Sequence, residues 1–83
     1  MHITVKLYAT LADYLPAGAK ANRVEVEVAE GAAVAEILVP FKLPPKLTHL
    51  VLVNGVFIPP EERAATRLTA GDTLAVWPPI AGG

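Results

Sequence analysis

From residue 2 to residue 8 the chain alternates. Ile3, Val5 and Leu7 take one parity, and Thr4, Lys6 and Tyr8 take the other. A period of two predicts a strand with one face in the core. Residues 11–20 carry Pro16 and Gly18 and read as a loop. Alternation resumes over residues 23–28, with Val24, Val26 and Val28 set against Arg23, Glu25 and Glu27. This predicts a second strand, antiparallel to the first. Gly31 breaks the pattern, and Val34, Ile37 and Leu38 then recur at i, i+3 and i+4, which predicts a helix over residues 32–39. Pro40 and Pro44-Pro45 are expected to stop it. Ala32 and Ala33 cannot cap it as Ser or Thr would, so packing must hold it. Residues 50–53 form an apolar run, and Asn54-Gly55 is the strongest hairpin signal in the chain. Residues 56–58 make the return strand, closed by Pro59-Pro60. Residues 61–66 suit one helical turn, Ala70-Gly71-Asp72 a turn, and residues 73–77 a last strand.

The order is therefore β-β-α-β-β-β, a two-layer roll with one helix across a mixed sheet. The expected core is Ile3, Val5, Leu7, Val24, Val26, Val28, Val34, Ile37, Leu38, Leu74 and Val76, with one face of residues 50–53. The last strand is expected beside the first.

Composition narrows the chemistry. The 83 residues are 53% hydrophobic and 18% charged, which is too apolar for a disordered tail. Seven Lys+Arg against eight Asp+Glu give a net charge of −1, so no basic stripe is available for nucleic acid. The absence of cysteine removes disulfides, thiolate metal sites and cysteine nucleophiles together. His2 and His49 are too few for an all-histidine metal site and read as solvent-facing. Glu61-Glu62-Arg63 reads as a solvated turn, and Glu25, Glu27 and Glu36 as exposed positions rather than paired catalytic carboxylates. No stretch reads as a signal peptide or a membrane span, so a cytoplasmic protein with no membrane partner is expected. A domain this small leaves little interior for a cleft of its own.

The chain ends Trp77-Pro78-Pro79-Ile80-Ala81-Gly82-Gly83. The prolines cannot extend a sheet ladder, so the last strand must stop before them. The division expected is a domain over residues 1–77 and a flexible diglycine tail over residues 78–83. Six residues beyond the strand reach roughly 20 Å when extended, and glycines without side chains pass where others cannot. A frayed end is the plain alternative.

The ending Pro78-Pro79-Ile80-Ala81-Gly82-Gly83 resembles that of the MoaD/ThiS family of sulfur carriers, closest to MoaD, the small subunit of molybdopterin synthase. Other stretches are similar in the same order. They are residues 3–8 followed by Leu11-Ala12-Asp13-Tyr14-Leu15, the Val53-Asn54-Gly55 hairpin, and Leu68 with Gly71-Asp72 before the last strand. Ala33, where the family often has a Thr cap, the proline-rich residues 42–46, and Trp77 in place of the usual Phe depart from it. The resemblance implies an α+β fold: a ubiquitin-like β-grasp roll with four to five strands, one main helix and an extended tail. It also implies a chemistry. A free α-carboxylate is ionised at neutral pH and is a poor acyl electrophile, and the chain has no nucleotide-binding motif of its own. A MoeB-like enzyme would adenylate the Gly83 carboxylate with ATP, and a sulfur donor protein would convert it to a thiocarboxylate. Gly82, Ala81, Ile80, Pro79 and Pro78 would thread the site of a MoaE-like large subunit. This chain would then be a non-catalytic subunit that binds no cofactor. A ThiS-like carrier for thiazole synthesis and a ubiquitin-like protein modifier remain alternatives.

Parity adds a surface. Tyr8, Phe57 and Trp77 fall opposite the core positions of three strands, and Trp77 adjoins the tail. Aromatics concentrate at interface centres, so these three form a candidate partner-docking patch. The competing reading is a second small core covered by a bend or by residues 11–20.

Overall fold

The structure, a computed structural model, describes residues 1–79. Alternating residues build β1 (His2–Leu7) and β2 (Arg23–Glu27), which pair antiparallel with Ile3 opposite Val26 and Val5 opposite Val24. The helix α1 is Val34–Leu38. It is followed by β3 (Leu50–Val53), β4 (Val56–Phe57) and β5 (Thr73–Trp77). The sheet order is β2-β1-β5-β3-β4, and only the β1–β5 pair is parallel. The last strand thus lies in the centre of the sheet, beside the first, as the β-grasp arrangement requires.

The core faces of three adjacent strands meet here. Ile3, Val5 and Leu7 of β1, Leu74 and Val76 of β5, and Val51 of β3 are almost fully buried, with Val34 and Ile37 of α1 above them. Val24, Val26, Val28 and Leu38, expected in the core, are only half-buried. The valines lie on and just beyond an edge strand, which has a neighbour on one side only. Leu11 and Leu68, which alternation did not mark, are buried with the core cluster, as is Ile58 on the parity opposite Phe57. Leu11 reaches it because residues 9–14 form 3-10 turns rather than an open loop.

The helix is shorter than residues 32–39. It ends at Leu38, just ahead of Pro40 as expected, and the chain tightens into a 3-10 turn over Val39–Phe41, where the proline nitrogen needs no partner. Its start is capped from elsewhere in the chain. The Val34 and Ala35 N–H groups donate to the Thr66 and Arg63 carbonyls at 2.9 and 3.0 Å. The Glu36 carboxylate accepts from the Ala33 N–H at 2.9 Å. Main-chain partners thus satisfy the free amides that an Ala cap cannot.

Candidate functional site

The end of β5 is held from both sides. Tyr8 N–H donates to the Val76 carbonyl at 3.1 Å, and His49 N–H donates to the Trp77 carbonyl at 3.2 Å. The chain therefore leaves the middle of the sheet at Pro78, from a strand end anchored to the strands on either flank. Pro78 is half-buried and Pro79 exposed. Ile80, Ala81, Gly82 and Gly83, the remaining expected tail residues, lie outside the described residues.

The sheet face opposite α1 carries the aromatic residues singled out by parity. The Tyr8 and Trp77 rings stack with centroids 4.3 Å apart and planes inclined by 4°. Phe57 shares this face but does not join the stack; it lies across β3, opposite Leu52. Register fills the gap. Leu50 stands opposite Trp77 and Leu52 opposite Ala75, so an apolar band runs from Tyr8 through Trp77 and the two leucines to Phe57. Leu50 and Phe57 are 37% and 51% exposed, so the band is open to solvent. Leu11 turns into the main core, and the covered second core is not what forms. Leu50 and Leu52 were not among the residues singled out, although the burial of Val51 between them assigns them to the outer face.

Two short motifs, Asn54-Gly55 and Gly71-Asp72, meet where β5 begins. Asn54 and Gly55 have φ of 50° and 85°, the left-handed pair a tight hairpin turn demands. The Asn54 side-chain amide donates to the Asp72 carboxylate at 2.9 Å, and its oxygen accepts from the Thr73 N–H at 2.9 Å. The second Asp72 oxygen accepts from the Thr69 N–H at 2.8 Å. Asn54 thus ties the β3–β4 turn to the entry of β5 and sets its register.

The Thr69 N–H, and after it the Asn54 amide, hold the Asp72 carboxyl below its ordinary value. A carboxyl lowered in the folded state contributes stability that is complete above its unfolded pKa and is lost as pH falls through the folded one. Wild-type thermal stability should therefore drop as pH falls below about 4, and Asp72→Asn should flatten part of that drop. Melting curves across this range check it; identical slopes for the two proteins would refute the linkage.

Arg63 joins two further segments. Its Nη1 and Nη2 donate to the Thr48 and His49 carbonyls at 3.2 and 3.0 Å, and its Nε to the Ile58 carbonyl at 3.2 Å. It is a structural clamp on the approach to β3, not a member of a solvated turn. Burial lowers its pKa, opposed by Glu61. Among the described residues no three His, Cys, Asp or Glu side chains gather as a metal site, and no helix is long and apolar enough to cross a membrane.

The model of the ThiS family matches residues 5–83, nearly the whole chain. The chain belongs to the ThiS family. The wider MoaD/ThiS group of β-grasp sulfur carriers accounts for its architecture. Solved structures agree. The small archaeal modifier SAMP1 of Haloferax volcanii is 26% identical, with both chains fully covered and a TM-score of 0.67. The thiamine biosynthesis protein ThiS of Geobacter metallireducens is 24% identical with full coverage of both chains and a TM-score of 0.66. The complex of molybdopterin-converting factor subunits 1 and 2 from Helicobacter pylori contains a match that is 17% identical, again fully covered, with a TM-score of 0.62. The last two likenesses establish the fold alone. No curated protein matches this chain significantly in sequence. In this sulfur-carrier family member the Asn54–Asp72 pair ties the β3–β4 turn to the start of the central strand β5, whose far end leads into Pro78.

Proposed function

We propose that this sulfur carrier serves molybdopterin synthesis as the small subunit of molybdopterin synthase, with Gly83 as the reacting residue. The observation that carries the reading is the exit of the chain at Pro78 from a central, doubly anchored strand, in a chain whose family match extends to Gly83. An ionised carboxylate must be activated before it accepts sulfur. In this reading a MoeB-like enzyme joins a Gly83 carboxylate oxygen to the α-phosphorus of ATP, releasing pyrophosphate. Sulfide-level sulfur from a sulfur donor then bonds to the acyl carbon as the bond to AMP breaks, and with AMP released the thiocarboxylate remains. Pro78 and Pro79 stiffen the departing chain, Ile80 and Ala81 line the entry, and Gly82 keeps the segment slim within a MoaE-like subunit. Residues 78–83 then act as a tail separate from the domain of residues 1–77, in a cytoplasmic protein.

The test is reconstitution. The protein is incubated with a MoeB-like enzyme, ATP and a sulfur donor, and its mass is measured. A sulfur-for-oxygen gain is expected, followed by sulfur transfer to the pterin precursor when a MoaE-like subunit is added. Persistence of the free carboxylate through the first step would sink the carrier chemistry. Transfer to a thiazole synthase instead would assign the ThiS-like pathway. The likeness to the archaeal modifier favours one second reading, conjugation of Gly83 to protein lysines. An isopeptide-linked diglycine remnant in digests of the host's proteins would establish it.

The apolar band is proposed as the surface these partners hold while the tail is engaged. Trp77→Ala and Phe57→Ala should each weaken binding to the activating enzyme by about tenfold or more, as loss of a central aromatic anchor does. Titration calorimetry reads this directly, and unchanged affinity in both variants removes the band from the interface.

A further inference from the structure

We propose that the free edge of β2 is a docking site for an extended peptide segment that alternates apolar and basic residues. The strand is the outermost on its side of the sheet and is separated from β5 by β1. Its hydrogen-bond parity is fixed at both ends. Leu7 N–H donates to the Asn22 carbonyl at 2.9 Å, and Val28 N–H donates to the Met1 carbonyl at 2.8 Å. The even-numbered residues of this stretch therefore face β1, and Arg23, Glu25 and Glu27 turn their main-chain groups outward. Those of Arg23 are already taken: its N–H and carbonyl pair with Lys20 at 3.1 and 3.2 Å. Glu25 and Glu27 remain, offering two donors and two acceptors with no hydrogen-bond partner among the described residues. This is the template that strand addition uses.

The side chains say what strand would fit. Beside the edge, on the helix side, lies an open trough lined by Tyr14, Pro16, Val26, Ile37, Pro40 and Phe41 and completed by Glu27 and Val28. A residue paired opposite Val26 projects into this trough, because paired residues share a face. Residues opposite Glu25 and Glu27 project to the other face, beside two exposed carboxylates. Glu25 has no ion-pair partner among the described residues. Glu27 lies 3.2 Å from the His2 ring and 3.6 Å from the Met1 amino group. The fitting strand is therefore apolar in the centre with Lys or Arg on both flanks.

A second copy of this chain is a poor occupant. Antiparallel self-pairing through the free groups sets the two-fold axis on Val26 and places Glu25 opposite the copy's Glu27, two like charges. Shifting the axis to Glu25 would bring Arg23 opposite Glu27, but the Arg23 main chain is occupied by Lys20. The edge is closed to itself and open to a basic strand.

The test uses the whole protein and two short capped peptides, one alternating valine with lysine and one alternating valine with glutamate. Amide chemical shifts are followed by NMR during titration. The lysine peptide should bind about tenfold or more tightly than the glutamate peptide. Its shifts should be confined to residues 23–28 and the trough, with slowed exchange at the Glu25 and Glu27 amides. The Glu25→Lys/Glu27→Lys variant should reverse the preference. N-methylation of the peptide amides that face the edge should abolish binding without touching the protein. Equal affinity for both peptides, no saturable shift, shifts centred on Tyr8 and Trp77, or a dimer formed through β2 in sedimentation would each overturn the proposal.

Discussion

Deleting Gly83 alone should reduce sulfur loading to background while leaving the fold intact. In the proposed reading the reacting group is the main-chain carboxyl of Gly83, so its position is set by the number of residues beyond the anchored end of β5. Among the described residues that anchor is Trp77, whose carbonyl accepts from the His49 N–H. Removing one residue draws the carboxyl back by about 3.5 Å, whereas attack requires atoms aligned to within a fraction of that distance. The buried core residues described all precede Trp77, so the melting temperature should be unaffected. The checking measurement is the mass of the protein after incubation with activating enzyme, ATP and sulfur donor. Gly82→Val addresses the second requirement. It keeps the length and adds a branched side chain beside the reacting group, and loading should again fall sharply if a narrow passage selects for glycine. Full loading of the shortened chain would show that reach does not set the chemistry.

The second large effect is on stability. Leu74→Ala should cost about 2–5 kcal/mol, the range for emptying a buried leucine site. Leu74 is fully buried on the central strand, flanked by Val5 on β1 and Val53 on β3. Neighbours anchored in two different strand pairings cannot collapse into the space without moving the sheet. A domain of this length has about 4–12 kcal/mol in total, so the variant should retain only part of its folded population near body temperature. Urea unfolding followed by Trp77 fluorescence reports it. A change below about 1 kcal/mol would mean that the β1–β5 contact is not the centre of the core.

Both effects trace to one strand, and much of its role is legible in the chain itself. Alternation over residues 2–8 and 23–28 marks two strands and their buried faces, and the prolines after Trp77 mark where the last strand must end. Parity also places Tyr8, Phe57 and Trp77 on the face away from the core. These inferences hold because side-chain direction in a strand is a local property of the backbone. The cap of α1 was not legible. Its partners, the Thr66 and Arg63 carbonyls, come from a distant segment and carry no side-chain signature. The same applies to Arg63, whose sequence context suggests solvent and whose guanidinium instead gathers three carbonyls. Leu11 and Leu68 were passed over because neither belongs to a periodic run, and their burial depends on how turns fold back.

Local pattern by itself determined the strands, their inward faces, the Asn54-Gly55 turn and the motifs that resemble a sulfur carrier. Tertiary structure alone decided that Asn54 and Asp72, far apart in the chain, bind each other and so register β5. It alone stacked Tyr8 on Trp77, joined them to Phe57 through Leu50 and Leu52, and left the Glu25 and Glu27 edge open. The physical reason is that alternation and turn propensity act between neighbours in sequence, whereas pairing partners and edges exist only once the strands have chosen an order.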